Sequence, residues 1–233
     1  AYMAVGAKAA GFAAILRVIS LAAGRVSFEW MEILWVLAVL TMTVGNIIAL
    51  VQDDIKRMLA YSSIAHAGYI LIGVVAANEM TISSVLFYLM VYLFMNLGAF
   101  AVAGLVSGKN ESFVKIKHFS GLGRTQPMLG LAMTVFMFSL AGFPPTGGFM
   151  GKLNLFSAAL KSGFVWLVIF GAINTLISVY YYIRVVVAMY MYEPLQEVKV
   201  DSVLPGVGLV ILVSLLGIFY LGIFPGNMLS MIY

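Results

Sequence analysis

The sequence contains no cysteine, and charged residues make up only 9% of its 233 positions. The lack of cysteine excludes a secreted domain held by disulfides, and also a thiolate-bound iron–sulfur centre. An ordinary soluble domain is about one-quarter charged and about half apolar, whereas this chain is 63% hydrophobic. A soluble chain of this length cannot hide so many apolar side chains from water. The composition therefore predicts an integral membrane protein.

The apolar residues form long continuous runs, which are typical of membrane-spanning helices and not of the short alternating strands of a barrel. A spanning helix needs about 20 mostly apolar residues. Seven segments meet this requirement: 1–20, 31–51, 58–77, 81–107, 127–160, 163–191 and 204–224. We therefore expect an all-α membrane protein with about seven transmembrane helices.

The fifth segment is too long for one straight span, and its middle reads AGFPPTGGFMGK. Proline removes a backbone donor and glycine relaxes the helix, so Pro144, Pro145, Gly147 and Gly148 predict a break near 142–148. Unwound backbone at membrane depth is tolerated where it is buried in protein or lines a cavity, which favours a functional broken helix. A simple kink, or a hairpin of two short helices, is the alternative.

The basic residues are distributed unequally between the two sides that seven crossings would create. One side carries seven basic residues and the other carries two, namely Lys56, Arg57, Lys109, Lys115, Lys117, Arg124 and Lys199 against Arg25 and Lys161. Basic loops stay on the cytoplasmic side, so the first side is predicted to be cytoplasmic or its topological equivalent. The net charge of +4 is spread over 13 basic residues, and we expect no nucleic-acid partner.

Lys8 lies within the first span, among small residues in GAKAAG. A charged side chain at membrane depth is costly, so it usually has a partner or a function. Small neighbours let helices approach closely, which predicts that Lys8 faces protein and not lipid. The alternative is that its long side chain reaches the nearby membrane surface.

Lys152 directly follows the predicted break, in GGFMGKLNLF. A buried lysine can bind and release a proton near neutral pH, and an unwound turn offers free carbonyl groups and room for water. We therefore interpret Lys152 as a proton-carrying residue. The alternative is a lysine that reaches the surface from a short re-entrant helix.

Polar residues inside the third and fourth spans form a further candidate group. His66 and Ser62 are four residues apart and share a helix face, and histidine can relay protons. Tyr88, Tyr92 and Asn96 share a face of the next span in the same way. These residues either line a polar path or simply form hydrogen bonds between helices, and the sequence does not distinguish the two.

Three stretches resemble the antiporter-like subunits of complex I, the proton-pumping NADH:quinone oxidoreductase. They are GNIIALVQDDIKRMLAYSSIAHAGY at 45–69, SLAGFPPTGGFMGK at 139–152 and GAKAAGFAAILRV at 6–18. The order of the three stretches matches the family. Larger members of the family tend to carry histidine and lysine where this chain has Tyr92 and Asn96, so the resemblance is strongest to the subunit N branch.

The resemblance implies a domain organisation. The family fold has fourteen transmembrane helices in which two inverted repeats of five helices each contain a broken helix. By resemblance, residues 1–20 are the last helix of the first repeat, residues 31–191 form the second repeat, and residues 204–224 form the final helix. The sequence starts inside an apolar helix without an initiator methionine, so we expect it to be the C-terminal half of a subunit.

The resemblance also implies a function. Lys8 would be the central lysine, Lys152 the lysine of the broken helix, and His66, Tyr92 and Ser62 members of the polar line between them. The chain would be a non-redox subunit of a translocase, without an active site of its own. It would hold no cofactor or metal, because NADH, FMN, iron–sulfur clusters and quinone are expected in partner subunits. We expect neighbouring antiporter-like and small membrane-arm subunits as partners, in a bacterial inner membrane rather than a mitochondrial one.

Two other functions fit the same residues. Subunits of multisubunit cation/proton antiporters and of membrane-bound hydrogenases are similar in sequence, and sodium dependence or the identity of partner subunits would separate them. The chain is otherwise a structural half-subunit without a complete channel. A second chain carrying the other helices would decide this point.

Overall fold

The computed structural model describes residues 2–21, 28–108, 113–194 and 205–232, and these residues form helices and connections without a named β-strand. A 3₁₀ helix covers Ile116–Phe119. The α-helices are α1 Tyr2–Leu21, α2 Phe28–Leu50, α3 Ile55–Ala76, α4 Thr81–Ser107, α5 Leu122–Thr125, α6 Pro127–Ala141, α7 Gly147–Lys161, α8 Val165–Met191, α9 Pro205–Ile223 and α10 Pro225–Ile232. The predicted all-α fold is confirmed.

Five of the described helices are long and apolar enough to cross a membrane. They coincide with five of the seven predicted spans and are Trp30–Leu50, Ile55–Ala76, Thr81–Ser107, Val165–Met191 and Pro205–Ile223. The first predicted span corresponds to α1. The long fifth span corresponds to α6 and α7, which have 15 residues each and are separated by residues 142–146.

Helix ends follow local backbone chemistry. The predicted third span begins at residue 58, but α3 begins at Ile55 because the Asp54 side chain accepts hydrogen bonds from the backbone N–H groups of Lys56 (2.8 Å) and Arg57 (3.0 Å). Such a cap satisfies donors that otherwise lack partners in the first turn. Pro127 begins α6, where the absent N–H costs nothing.

Contacts between loops define two sides of the helix bundle. On the first side, which we call the basic side, the α2–α3 turn pairs with the connection after α4, through Ile55 N–H to Val114 O (2.9 Å) and Ile116 N–H to Asp53 O (2.8 Å). Arg184, near the end of α8, donates to the Gln52 carbonyl on the same side. This grouping agrees with the predicted sidedness, although Arg25, Lys109 and Lys199 lie outside the described residues.

On the opposite side, the α3–α4 turn contacts the end of α7. Asn78 donates to the Ala158 carbonyl (2.7 Å), and Ser162 donates to the Ala76 carbonyl (2.6 Å). Lys161 lies 3.7 Å from Glu79, and both side chains are exposed. Because α6 begins on the basic side and α7 ends here, the two short helices cross the bundle together.

Helices α3 and α4 lie at the centre of the bundle. Of the spanning part of α3, 72% of residues are buried, against 22% for α9 and 28% for α2. The outer helices expose large apolar side chains, such as Leu40, Leu176 and Leu216. These faces suit lipid or neighbouring membrane helices, whereas polar side chains on α3 and α7 are held inside the protein.

Candidate functional site

The break between α6 and α7 is built by proline, glycine and one serine. Pro144 and Pro145 lie in the unwound segment, whereas Gly147 and Gly148, predicted as part of the break, are the first residues of α7. Gly148 donates its N–H to the Ser139 hydroxyl (3.2 Å) across the break. A Cβ atom on Gly148 would lie 1.8 Å from the Ser139 carbonyl oxygen, so only glycine permits this close approach.

Lys152 lies in the second turn of α7, and its ammonium group reaches back to the end of α6. Its Nζ donates to the carbonyls of Leu140 (3.2 Å) and Ala141 (3.0 Å), and it lies 4.8 Å from the centre of the Tyr69 ring. The last carbonyls of a helix have no partner within the helix and carry partial negative charge. The break therefore creates a cation site, and Lys152, only 4% exposed, occupies it.

His66 lies on α3 and is 2% exposed. Its ring is held between two tyrosine hydroxyls, with Nδ1 2.6 Å from Tyr88 Oη and Nε2 3.0 Å from Tyr182 Oη. The ring also contacts the Tyr92 ring, with centroids 5.1 Å apart, and the Tyr69 ring, with centroids 5.8 Å apart. Every polar atom of the imidazole therefore has a partner inside the bundle.

Lys8 enters the same interior from α1. Its Nζ donates to the Ser63 backbone carbonyl, to the Ser63 hydroxyl (2.8 Å) and to the Tyr92 hydroxyl (3.3 Å). It also lies 4.6 Å from the centre of the Tyr92 ring. The side chain therefore points at α3 and α4, as its small neighbours predicted, and not at the membrane surface.

These side chains form a continuous row, which we call the central row. It consists of Lys8, Tyr92, His66, Tyr69 and Lys152, contributed by α1, α4, α3, α3 and α7 in that order. Four of the five residues named from the sequence as a proton path meet here or beside it. Ser62 is the exception, because its hydroxyl donates to the Leu59 carbonyl (2.8 Å), while the neighbouring Ser63 contacts Lys8.

Sequence reasoning missed several members of the site. Tyr69 joins His66 to Lys152, and Tyr182 on α8 completes the partners of His66. A separate polar cluster lies between α2 and α8, where Asn46 and Asn174 are buried and hydrogen-bonded to each other (3.0 Å). The one available signal was the presence of amides in apolar helices, since a buried amide requires a hydrogen-bonding partner.

Asn96 follows Tyr92 by one turn of α4 and is 1% exposed. Its Nδ2 donates to the Tyr92 carbonyl (3.3 Å), whereas its Oδ1 has no partner among the described residues. A buried acceptor without a partner is costly. Asn96 thus extends the polar face of α4 towards the basic side of the bundle.

The central row consists of groups that bind and release protons. It contains two amines, an imidazole and phenol hydroxyls, and within the described residues neither lysine forms a salt bridge. The described residues also contain no group of three or more histidine, cysteine, aspartate or glutamate side chains placed to hold a metal ion. The arrangement is suited to moving protons.

The second histidine, His118, lies apart from the central row, in the 3₁₀ helix on the basic side. Partial burial and the nearby charges of Lys117 and Lys115 lower the pKa of His118. Its Nδ1 accepts a hydrogen bond from the Lys115 backbone N–H (3.3 Å). This contact closes the start of the 3₁₀ helix.

Known proteins resemble this chain along almost its whole length. A family model described as NADH:quinone oxidoreductase/Mrp antiporter, TM, matches residues 1–178. The NADH-quinone oxidoreductase subunit N of Trichlorobacter lovleyi is 52% identical over 230 residues, which cover 99% of this chain and 47% of that protein. The chain therefore spans about half the length of the curated relatives that it matches.

Solved structures show the same arrangement of helices. A chain of respiratory complex I from Thermus thermophilus, solved with bound aureothin, matches with a TM-score of 0.72 and 32% identity, over 85% of this chain and 45% of that one. A chain of the Mrp complex from Dietzia sp. matches with a TM-score of 0.80 over 94% of this chain and 49% of that one. The latter pair is only 19% identical, so that likeness shows the fold alone.

Proposed function

Because the chain belongs to the NADH:quinone oxidoreductase/Mrp antiporter family of membrane proteins, we propose that it carries the C-terminal half of a proton-translocating subunit N. The observation that carries this proposal is Lys152, buried against the two carbonyls that end α6. The 52% identity to a named subunit N supports the choice within the family. The proposed repeat structure, with residues 31–191 as the second inverted repeat, follows from the same likeness.

In this proposal protons pass along the central row. Lys8 and Lys152 bind and release them at the two ends, and His66 exchanges them in the middle. Tyr92 joins Lys8 to the His66 ring, and Tyr69 joins that ring to Lys152. Ser62, buried one turn before His66 on α3, takes part beside the central row. Hydrated contacts complete the steps between side chains that are not directly hydrogen-bonded.

The chemistry that drives translocation lies in other subunits under this proposal. NADH, FMN, iron–sulfur clusters and quinone bind to partner chains, and this chain has no redox centre of its own. Charge changes near the quinone alter the protonation of the lysines through electrostatic coupling in a low-dielectric interior. Other membrane-arm subunits cover the exposed apolar faces, in a bacterial inner membrane.

The same fold also occurs in the Mrp complex chain, so the fold does not separate the two functions. Sequence identity to subunit N favours the oxidoreductase, and we rank the cation/proton antiporter or hydrogenase subunit second. A structural half-subunit without transport is the third candidate. The buried lysines count against a purely structural role, because a charged side chain at membrane depth costs at least about 2.5 kcal/mol and is usually kept for a function.

The test is to replace Lys152 or Lys8 with alanine in the complete oxidoreductase, reconstituted in proteoliposomes. We expect the protons pumped per electron pair to fall, while NADH oxidation by an artificial acceptor that bypasses quinone stays unchanged. A positioned proton-transfer group contributes about 100-fold or more to the rate. The contribution of this subunit to pumping is therefore expected to be lost.

The matched control is Lys161→Ala, which removes a lysine from the same helix at an exposed position 59% open to solvent. This variant should pump as the unmodified complex does. Unchanged stoichiometry in both the Lys8 and Lys152 variants would falsify the proposal. Pumping that depends on sodium ions would instead favour the antiporter function.

A further inference from the structure

The final spanning helix, α9, lies outside the proposed repeat and contributes no side chain to the central row. Only 22% of its spanning part is buried. The buried side chains recur every three or four residues and so define one face that packs against protein. They are Ile211, Ser214, Ile218 and Leu221. Helix α9 therefore touches the rest of the bundle along a single narrow stripe.

The C-terminal end of this stripe lies directly on the backbone of the break. A Cβ atom added to Gly222 would lie 2.0 Å from the Pro145 carbonyl oxygen and 2.8 Å from the Gly147 nitrogen. One turn earlier, the Ile218 carbonyl oxygen would lie 3.1 Å from a Cβ atom on Gly147. Backbone meets backbone here, and such a contact cannot yield as a long side chain can.

The break is held equally closely from the side of α6. The Gly148 N–H donates to the Ser139 hydroxyl, and an added Cβ atom on Gly148 would lie 1.8 Å from the Ser139 carbonyl oxygen. The segment from Pro145 to Gly148 is thus enclosed between α6 and α9, without room for one added carbon atom at either contact. A closely packed interior transmits strain, so a push from α9 must displace the start of α7.

The site of Lys152 depends on where α7 starts. Lys152 lies one turn beyond Gly148, and its Nζ joins α7 to α6 through the carbonyls of Leu140 (3.2 Å) and Ala141 (3.0 Å). The longer of these bonds is already at the upper end of the normal range. A shift of α7 away from α6 would therefore break it, and the ammonium would lose a partner.

We infer that α9 is a clamp on the break and that Gly222 is a positioning residue for Lys152. Gly222 touches no atom of the lysine and acts through the backbone from Pro145 to Gly147. The inference rests on the proposed function and deepens it, because it gives a part in proton transfer to a helix outside the proton path. The clamp holds α7 at the distance from α6 at which Lys152 reaches both carbonyls.

The first experiment measures pumping by the complete oxidoreductase in proteoliposomes. Gly222→Ala should lower the protons pumped per electron pair to the level of Lys152→Ala, with NADH oxidation by an artificial acceptor unchanged. The matched control is Gly217→Ala on the same helix, where the added atom would lie 2.8 Å from the half-buried Phe94 ring, which can turn aside. This control should pump normally. Equal pumping by the two glycine variants would overturn the inference.

The second experiment observes the break itself by solid-state NMR. Pro145–Thr146 is the one Pro–Thr pair in the sequence, so labelling with ¹³C′-proline and ¹⁵N-threonine gives this chain a single carbonyl–nitrogen signal. A Thr146→Ser sample identifies that signal in the complex by difference. The signal should shift in Gly222→Ala and stay in place in Gly217→Ala. An unmoved signal in Gly222→Ala would contradict the contact between α9 and the break.

A third variant loosens the clamp without adding an atom. Ile218→Ala removes a fully buried side chain from the same contact, and the Pro–Thr signal should broaden. A signal as sharp as in the unmodified complex would overturn the inference even if Gly222→Ala does not assemble. A shifted signal together with normal pumping by Lys152→Ala would defeat the proposed function and keep the contact. Lost pumping in Lys152→Ala with normal pumping in Gly222→Ala would do the reverse.

Discussion

At the scale of single residues, Tyr69 makes two contacts, one through its ring and one through its hydroxyl group. Its ring lies beneath the Lys152 ammonium, and its hydroxyl accepts a hydrogen bond from Thr175 on α8 (3.2 Å). A cation held over an aromatic face gains about 0.5–2 kcal/mol, and most when water is excluded. The ring therefore belongs to the central row, and the hydroxyl anchors it.

Two substitutions at Tyr69 separate these roles. Tyr69→Phe keeps the ring and loses one buried hydrogen bond, so we expect about 1 kcal/mol less stability and nearly normal pumping. Tyr69→Leu removes the ring that faces Lys152, and we expect reduced proton pumping per electron pair. Proton uptake by proteoliposomes measures pumping in both variants. Equal pumping by the two variants would contradict a role for the ring.

The sequence predicts those site residues whose residue type is itself unusual in an apolar helix. Lys8, Lys152 and His66 stand out because ionisable groups are rare in apolar helices. Tyr69 does not stand out, because tyrosine is common there and its contact with Lys152 depends on how α3 packs against α7. Ser63, which contacts Lys8, was missed for a similar reason, since neighbouring positions differ only by the rotation of α3 relative to α1.

At the scale of helices, the break between α6 and α7 depends on close backbone contact. The Ser139 carbonyl and hydroxyl lie against Gly148, and Gly142 adopts a positive φ of 92° beside the Lys152 side chain. The prolines and glycines predicted that a break exists. They did not predict that Gly147 and Gly148 begin α7, because glycine and unpaired N–H groups are equally acceptable in a first helical turn.

Gly148→Ala tests this contact. The added Cβ would overlap the Ser139 carbonyl, so we expect the free energy of unfolding to fall by about 1–3 kcal/mol. The comparison is Gly104→Ala on α4, where nothing lies within 4 Å of the added atom. That variant should be as stable as the unmodified protein or gain up to about 1 kcal/mol. Thermal unfolding of the detergent-solubilised protein measures the stability of both variants. Equal stability of the two would contradict the close contact at Gly148.

At the scale of the whole molecule, the two groups of loops fix the sidedness of the bundle. The α2–α3 turn and the α4–α6 connection are hydrogen-bonded to each other on the basic side. The α3–α4 turn and the end of α7 meet on the opposite side. The distribution of lysine and arginine predicted this division, because the basic residues of each loop can be counted in the sequence. The packing that places α3 and α4 at the centre depends on which polar side chains form hydrogen bonds between helices. The sequence does not show these pairs.

Single cysteines can measure the sidedness, because the described chain has no cysteine of its own. Thr125→Cys lies on the basic side and Glu79→Cys on the opposite side, and both positions are exposed. A thiol reagent that does not cross membranes should label Thr125→Cys only in inside-out vesicles, and Glu79→Cys only in intact cells stripped of the outer membrane. Both should react after permeabilisation. Labelling of both from one face would contradict the arrangement.

The way Lys152 is bound to the end of α6 has a consequence for its two protonation states. An ammonium group has three N–H bonds and a neutral amine has two, and two carbonyls, those of Leu140 and Ala141, accept from Nζ. Loss of a proton therefore leaves both carbonyls satisfied, and the lone pair that remains can turn towards the interior. The charge of Lys152 can therefore change while the break between α6 and α7 keeps its hydrogen bonds and its shape.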